Sequence, residues 1–172
     1  MRAFLLILCA SFMGCVGVPQ GIEPVQNFEV DRYLGKWHEL ARLDHSFERG
    51  LQSVTAEYSV RDDGGLRVIN RGFDTVSDSW DEAEGKAYFV GSETTGHLKV
   101  SFFGPFYGSY VIFELGQDYE YSLVTSADRS YFWLLSRTKK IGEDLKAEIV
   151  ERIAALGFDT RELIFVSQNM GL

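Results

Sequence analysis

At 172 residues, with 45% hydrophobic and 24% charged side chains, the chain has the size and composition of one globular domain with a substantial core. A formal net charge of −8 argues against nucleic acid as the partner, because phosphate binding needs a basic stripe and the longest basic run is Lys139 and Lys140. Thirteen Phe and eight Tyr against three Pro lean towards a β-rich interior, since aromatic side chains suit pleated, half-buried surfaces.

The first element is an uncharged apolar stretch from Ala3 to Gly14 behind Arg2. It is too short to span a bilayer, which takes about 20 residues, and has the layout of an export signal. Gly14 before Cys15 resembles a bacterial lipoprotein signal, in which cleavage leaves a lipidated cysteine as the first mature residue. Phe12 and Met13 depart from the Leu and small residue usual at those positions. The other readings are a plain cleaved signal and an uncleaved anchor. Cys9 and Cys15 are the only cysteines, so no thiol beyond residue 15 serves a disulfide, zinc or a nucleophile. Cleavage before Cys15 removes Arg2 and leaves 16 cationic against 25 acidic side chains, or −9. The expected division is a leader over 1–14, a lipidated cysteine and flexible tether over 15–27, and one domain over 28–172. Gly17, Pro19, Gly21 and Pro24 give the tether its irregular pattern.

From Phe28 onward, short segments of period-two alternation are separated by turn clusters. The expected strands are Trp37 to Leu43, Ser53 to Arg61, Leu66 to Phe73, Trp80 to Val90, His97 to Phe103, Ser109 to Leu115, Tyr119 to Thr125 and Tyr131 to Arg137. Asp62-Asp63-Gly64-Gly65 is the strongest hairpin signal, because these residues tolerate positive φ. Short connections make successive strands neighbours, and closing the sheet removes its edges. The fold class is therefore all-β: an eight-stranded antiparallel up-and-down barrel. One helix follows over Glu143 to Leu156, with Leu145, Ile149, Ile153 and Leu156 on one face, and is expected to pack outside the barrel. Leu163 to Val166 is a short terminal strand candidate.

One barrel, one helix and a final short strand resemble the lipocalin family, and specific residues strengthen the likeness. Gly35-Lys36-Trp37 fits the family's Gly-x-Trp signature, and Arg137 ends the eighth strand where lipocalins carry an arginine that stacks on that tryptophan. Gln117-Asp118-Tyr119 matches the middle signature, Thr-Asp-Tyr, except at its first position. Trp37 to Arg42, Arg61 to Asn70 and Lys99 to Gly108 look like the bacterial outer-membrane lipocalins and their apolipoprotein D relatives. The resemblance covers about residues 27 to 168. It implies a barrel whose lumen takes a fatty acid or lysophospholipid, held by a lipid anchor at the periplasmic face of the outer membrane.

Parity counted from Trp37 and Arg137, matched to the family pattern, turns a set of side chains into the lumen. These are Ala56, Tyr58 and Val60; Val68 and Asn70; Ala83, Gly85 and Ala87; Leu98, Val100 and Phe102; Tyr110 and Ile112; Tyr121 and Leu123; and Tyr131, Trp133 and Leu135. Small residues on one wall and aromatics on the other suggest a cavity, although a small barrel is also filled by such a set. Burying a sixteen-carbon chain gains roughly 10 kcal/mol gross at about 0.8 kcal/mol per methylene. The loop from Asp44 to Gln52 is expected over the mouth, where Arg42, His45 and Arg49 either meet an anionic head group or are simply solvated, the second being favoured. The Gly104 to Gly108 turn presents Pro105, Phe106 and Tyr107 to a membrane or to a partner subunit, a homodimer included.

Catalysis has few materials here: no Gly-x-Ser-x-Gly, no His-Glu-x-x-His and no glycine-rich phosphate loop. No cofactor or metal is expected. A binder is therefore the primary reading, with a lipid-modifying enzyme or a filled assembly barrel as alternatives.

Overall fold

The structure, a computed structural model, describes residues 16–170. The expected leader and Cys15 lie outside that range. Eight antiparallel strands form the wall: β1 (Gly35–Leu43), β2 (Leu51–Val60), β3 (Leu66–Asp74), β4 (Ser79–Phe89), β5 (His97–Ser101), β6 (Gly108–Leu115), β7 (Tyr121–Thr125) and β8 (Phe132–Ser136). Each pairs with the next, and β1 pairs with both β8 and β2, so the sheet closes into a barrel. The alternation read from the sequence holds because every strand has one face on the lumen. At the β2–β3 turn, Gly64 takes φ +81 and the Gly65 N–H donates to Asp63 Oδ1 at 3.1 Å, the local chemistry that the Asp-Gly pattern predicts.

Two apolar layers hold the molecule together. One fills the lumen around Trp37, and the other lies between the outer wall and α2 (Glu143–Ala155). Ile149 and Ile153 of α2 are buried against Leu40, Val111, Phe132 and Leu134. Each buried side chain of this kind stabilises by roughly 1.5–3 kcal/mol. After α2, β9 (Leu163–Phe165) pairs with the second half of β1. A one-turn helix, α1 (Val30–Tyr33), absent from the sequence reading, precedes β1.

The expectation of a flexible tether is corrected over residues 16–27, which are extended but docked on the barrel. Ile22 is buried in the outer layer. The Val25 N–H donates to Ile112 O at 2.9 Å, its carbonyl accepts from the Gly96 N–H at 2.8 Å, and Gly17 O accepts from Ser109 Oγ at 2.7 Å. The Gly/Pro pattern marked the absence of a period, and backbone pairing needs none.

Candidate lipid-binding lumen

The closed end is built around Trp37, which is fully buried. Gly35 takes φ +84 on entering β1, a conformation that a side chain would strain. The Trp37 indole N–H donates to Tyr33 O at 2.8 Å. The Arg137 guanidinium lies 3.8 Å from the centroid of the indole and donates to Lys36 O at 2.9 Å and Arg32 O at 2.6 Å. On the other side of α1, the Tyr119 hydroxyl accepts from the Glu29 N–H at 2.9 Å, while Arg32 covers its ring and approaches Asp118 at 3.5 Å. Gly35, Trp37, Asp118, Tyr119 and Arg137 thus converge on one plug. Their interactions are with one another, with Arg32 and Tyr33 of α1 and with backbone, so they close the barrel.

Above the plug, Ala56, Tyr58, Val68, Ala87 and Leu98 form a buried wall, continued by partly buried Val100, Phe102 and Tyr110. Tyr58 faces Val68, and Ala87 faces Val100, across adjacent strands. The volume expected beside Gly85 is taken by Phe102, whose ring lies 2.8 Å from where a glycine Cβ would stand. Asn70 shares the inward face, pairs with Ala56 and keeps its Oδ1 buried without a partner. Within the wall, hydroxyls form a chain: Tyr58 to Tyr110 at 2.7 Å, Tyr110 to Tyr33 at 2.8 Å and Tyr33 to Ser122 Oγ at 3.2 Å. Burial pushes the Tyr33 hydroxyl up to about 12 and raises those of Tyr58 and Tyr110, so all three remain protonated at neutral pH.

The mouth is polar for a different reason. A bulge between Glu39 and Ala41 shifts the register of β1 against β8, leaving Glu39 opposite Leu135 and Arg42 opposite Trp133, both on the lumen face. Arg42 is buried and donates to Glu39 Oε1 at 2.7 Å, Glu48 O at 2.7 Å and Leu51 O at 3.1 Å, while its Nε has no partner. The 44–50 loop folds over this group. His45 Nε2 lies 2.9 Å from Glu48 Oε2, whose carboxylate also accepts from Trp133 Nε1 at 3.1 Å. His45 stacks on Phe47, and Tyr131 stacks on Trp133. Burial, followed by the charge of Glu48, pushes the Glu39 carboxyl well above its usual range. Burial also opposes ionisation of Glu48, but His45, Trp133 and Arg42 outweigh it and hold that carboxyl lower. Arg49 belongs to neither group, since it is exposed and paired with Asp44.

Residues 28–168 match the model of the Lipocalin-like domain family. The chain is a lipocalin. It is 55% identical to the Outer membrane lipoprotein Blc of Vibrio cholerae over 171 residues, covering 98% of this chain and all of the relative. It is 49% identical to the protein of that name from Escherichia coli K12, over 96% of this chain and 92% of the relative. Among solved structures, insecticyanin of the tobacco hornworm Manduca sexta superposes with a TM-score of 0.69 at 20% identity, covering 88% of this chain and 86% of that one, which shows the shared fold.

The lumen of this lipocalin differs from the parity count on one strand. Tyr121 and Leu123, expected inside, belong to the outer layer beneath α2, and the Tyr121 hydroxyl donates to Glu114 Oε1 at 2.7 Å. A register shift between Ile112 and Glu114 puts Phe113 in a bulge, after which Glu114 pairs with Leu123. Ser122 and Val124 are the β7 residues that face in, opposite Leu135 and Trp133. Val60 and Ala83 lie at the ends of the inward rows and are exposed. Glu39, two residues after Trp37, already faces in by alternation but is absent from the expected lumen set, while the bulge that follows it adds Arg42 and the folded loop brings Glu48 inward. The acid and cation three positions apart, Glu39 and Arg42, were the available signal.

Proposed function

We propose that this lipocalin is an outer-membrane lipoprotein, anchored through Cys15 at the periplasmic face, that carries a single-chain amphiphile, a fatty acid or lysophospholipid, for lipid storage or transport in envelope maintenance. The observation that carries the reading is the polarity profile of the lumen: an apolar wall has the Arg42–Glu39–Glu48 group at its mouth and, towards the plug, the hydroxyl chain of Tyr58, Tyr110, Tyr33 and Ser122. An acyl chain suits the wall, and an oxygen-rich head group suits either end. The names of the Vibrio and Escherichia relatives support the location. The lumen presents no nucleophile beside a general base, and among the described residues no three His, Cys, Asp or Glu side chains gather as a metal site, so a carrier is favoured over an enzyme.

The test is to titrate the full-length protein with palmitate and with a lysophospholipid in a background where Trp80 is replaced by Phe, following tryptophan emission, in which Trp133 at the mouth reports the ligand against the constant signal of Trp37 in the plug. Saturable emission change with intact lipid recovered afterwards is the expected result. Converted lipid would make the protein an enzyme, and no response would make the barrel a filled scaffold.

A further inference from the structure

The turn between β5 and β6 carries the two most exposed phenylalanines of the described residues, Phe103 and Phe106, each 80% exposed. Beside them Tyr107 packs near Tyr88, and two lysines converge on its ring, Lys99 Nζ at 5.2 Å and Lys86 Nζ at 5.9 Å from the centroid. Lys86 and Lys99 enter no ion pair among the described residues, whereas the neighbouring acids are engaged: Glu84 with Arg67, and Asp63 with Arg61 and Tyr88. On a chain of net charge −8, this is a local cationic and aromatic patch. Apolar side chains at a tip, tyrosines behind them and free lysines alongside are the chemistry of a phospholipid surface bearing anionic head groups.

The path of the N-terminal segment decides the occupant. Gly17 O is held by Ser109 Oγ, and Ser109 is the second residue of β6, immediately after the turn. Cys15 precedes Gly17 by two residues, which extend at most about 7 Å. Ser109 pairs with Lys99 across the strands, so an acyl chain on Cys15 enters the bilayer on the side of the barrel that carries the patch. We propose that the Phe103–Tyr107 turn with Lys86 and Lys99 is a membrane-docking face that works with the anchor, so that the open end of the barrel is held against the phospholipid surface. The inference rests on the anchored-lipoprotein reading above.

The test uses the full-length chain, expressed and processed in a bacterium and reconstituted in vesicles of phosphatidylethanolamine and phosphatidylglycerol. An environment-sensitive fluorophore is attached in turn at Phe103→Cys and at Gln117→Cys, exposed in the turn at the far end of β6 beside the plug, and lipids carrying a nitroxide near the head group are added. Quenching of the 103 probe by half or more, with the 117 probe unaffected, is the expected outcome, and Phe106→Ser with Lys99→Glu should cut that quenching at least twofold. Floating protein whose 103 probe stays in water overturns the docking face and leaves the anchor standing. Quenching at 117 instead overturns the orientation. A blue-shifted 103 probe that lipid nitroxides fail to quench assigns the face to a second copy and overturns the proposal. A chain that never floats with vesicles removes the anchor and the docking face together.

Discussion

Glu39 and Arg42 meet at 2.7 Å inside the barrel, with side chains only 3% and 1% exposed. A bulge in β1 brings these residues, three apart, onto one face. Burial makes the pair asymmetric. Among the described residues Arg42 is the only guanidinium facing Glu39 and Glu48, so Arg42→Ala strips Glu39 of its hydrogen-bond donor and leaves the buried Glu48 to His45 alone, and should cost about 3–5 kcal/mol. Glu39→Gln keeps an oxygen for Arg42 and replaces a carboxyl that burial already favours in its neutral form, so its cost should be nearer 1 kcal/mol. Urea midpoints compare them directly. Equal costs would show that Glu39 carries full charge in the folded state.

The same pair sets a pH dependence. Glu39 is raised above the ordinary glutamate value of 4.5, so the folded state holds a proton that the unfolded chain releases. Stability from that proton is complete below about 4.5 and is lost as pH rises towards the folded-state value. Glu48 is lowered, so its contribution is present above 4.5 and disappears as pH falls through its folded value. On the neutral side of 4.5 the wild-type midpoint should therefore fall with pH, by at most about 1.4 kcal/mol per unit for one proton. Glu39→Gln should flatten that fall. A wild-type stability that climbs over the same window and is unchanged by the substitution would contradict the assignment.

At the other end of the barrel, Arg137 lies over Trp37 and ties Lys36 O to Arg32 O. Arg137→Ala removes one cation–π contact and two charge-assisted hydrogen bonds from a partly solvated site. A loss of roughly 1–3 kcal/mol is expected in denaturant unfolding. Lipid affinity should be retained, since the residue lies behind the plug. Unchanged midpoints with abolished binding would move Arg137 into the ligand site.

The eight strands and α2 were legible because period-two and period-three-to-four patterns survive wherever one face is buried, and Asp63-Gly64 marks a turn by its own chemistry. The plug was legible through Gly35, Trp37 and Arg137. What escaped follows from inserted residues. A bulge adds one residue without changing composition, so the bulge at Leu40 inverted the face of Arg42 against a uniform parity count, and the bulge at Phe113 hid the register that sets Ser122, not Tyr121, opposite Leu135. The docked path of Ile22 and Val25 escaped because two apolar residues among prolines and glycines carry no period.

The last prediction concerns the hydroxyl chain of Tyr58, Tyr110, Tyr33 and Ser122. Four hydroxyls share three hydrogen bonds, and each bond consumes one donor, so one O–H remains for an oxygen brought in by a ligand. Tyr110 sits mid-chain. Tyr110→Phe breaks two links and leaves Tyr58 without a partner, whereas Tyr58→Phe removes one terminal link. Stability should fall by about 2 kcal/mol for the first and about 1 kcal/mol for the second. Splitting the chain also disorganises its free donor. If a carboxylate is received there, Tyr110→Phe should weaken a fatty acid by roughly 10- to 100-fold, the equivalent of a hydrogen bond to a charged group, and an alcohol of equal length by much less. Parallel titrations of both variants with palmitate and hexadecanol read the difference. Equal weakening of acid and alcohol would place the carboxylate elsewhere, and the buried Arg42 at the mouth, with its unpartnered Nε, would then be the group that receives it.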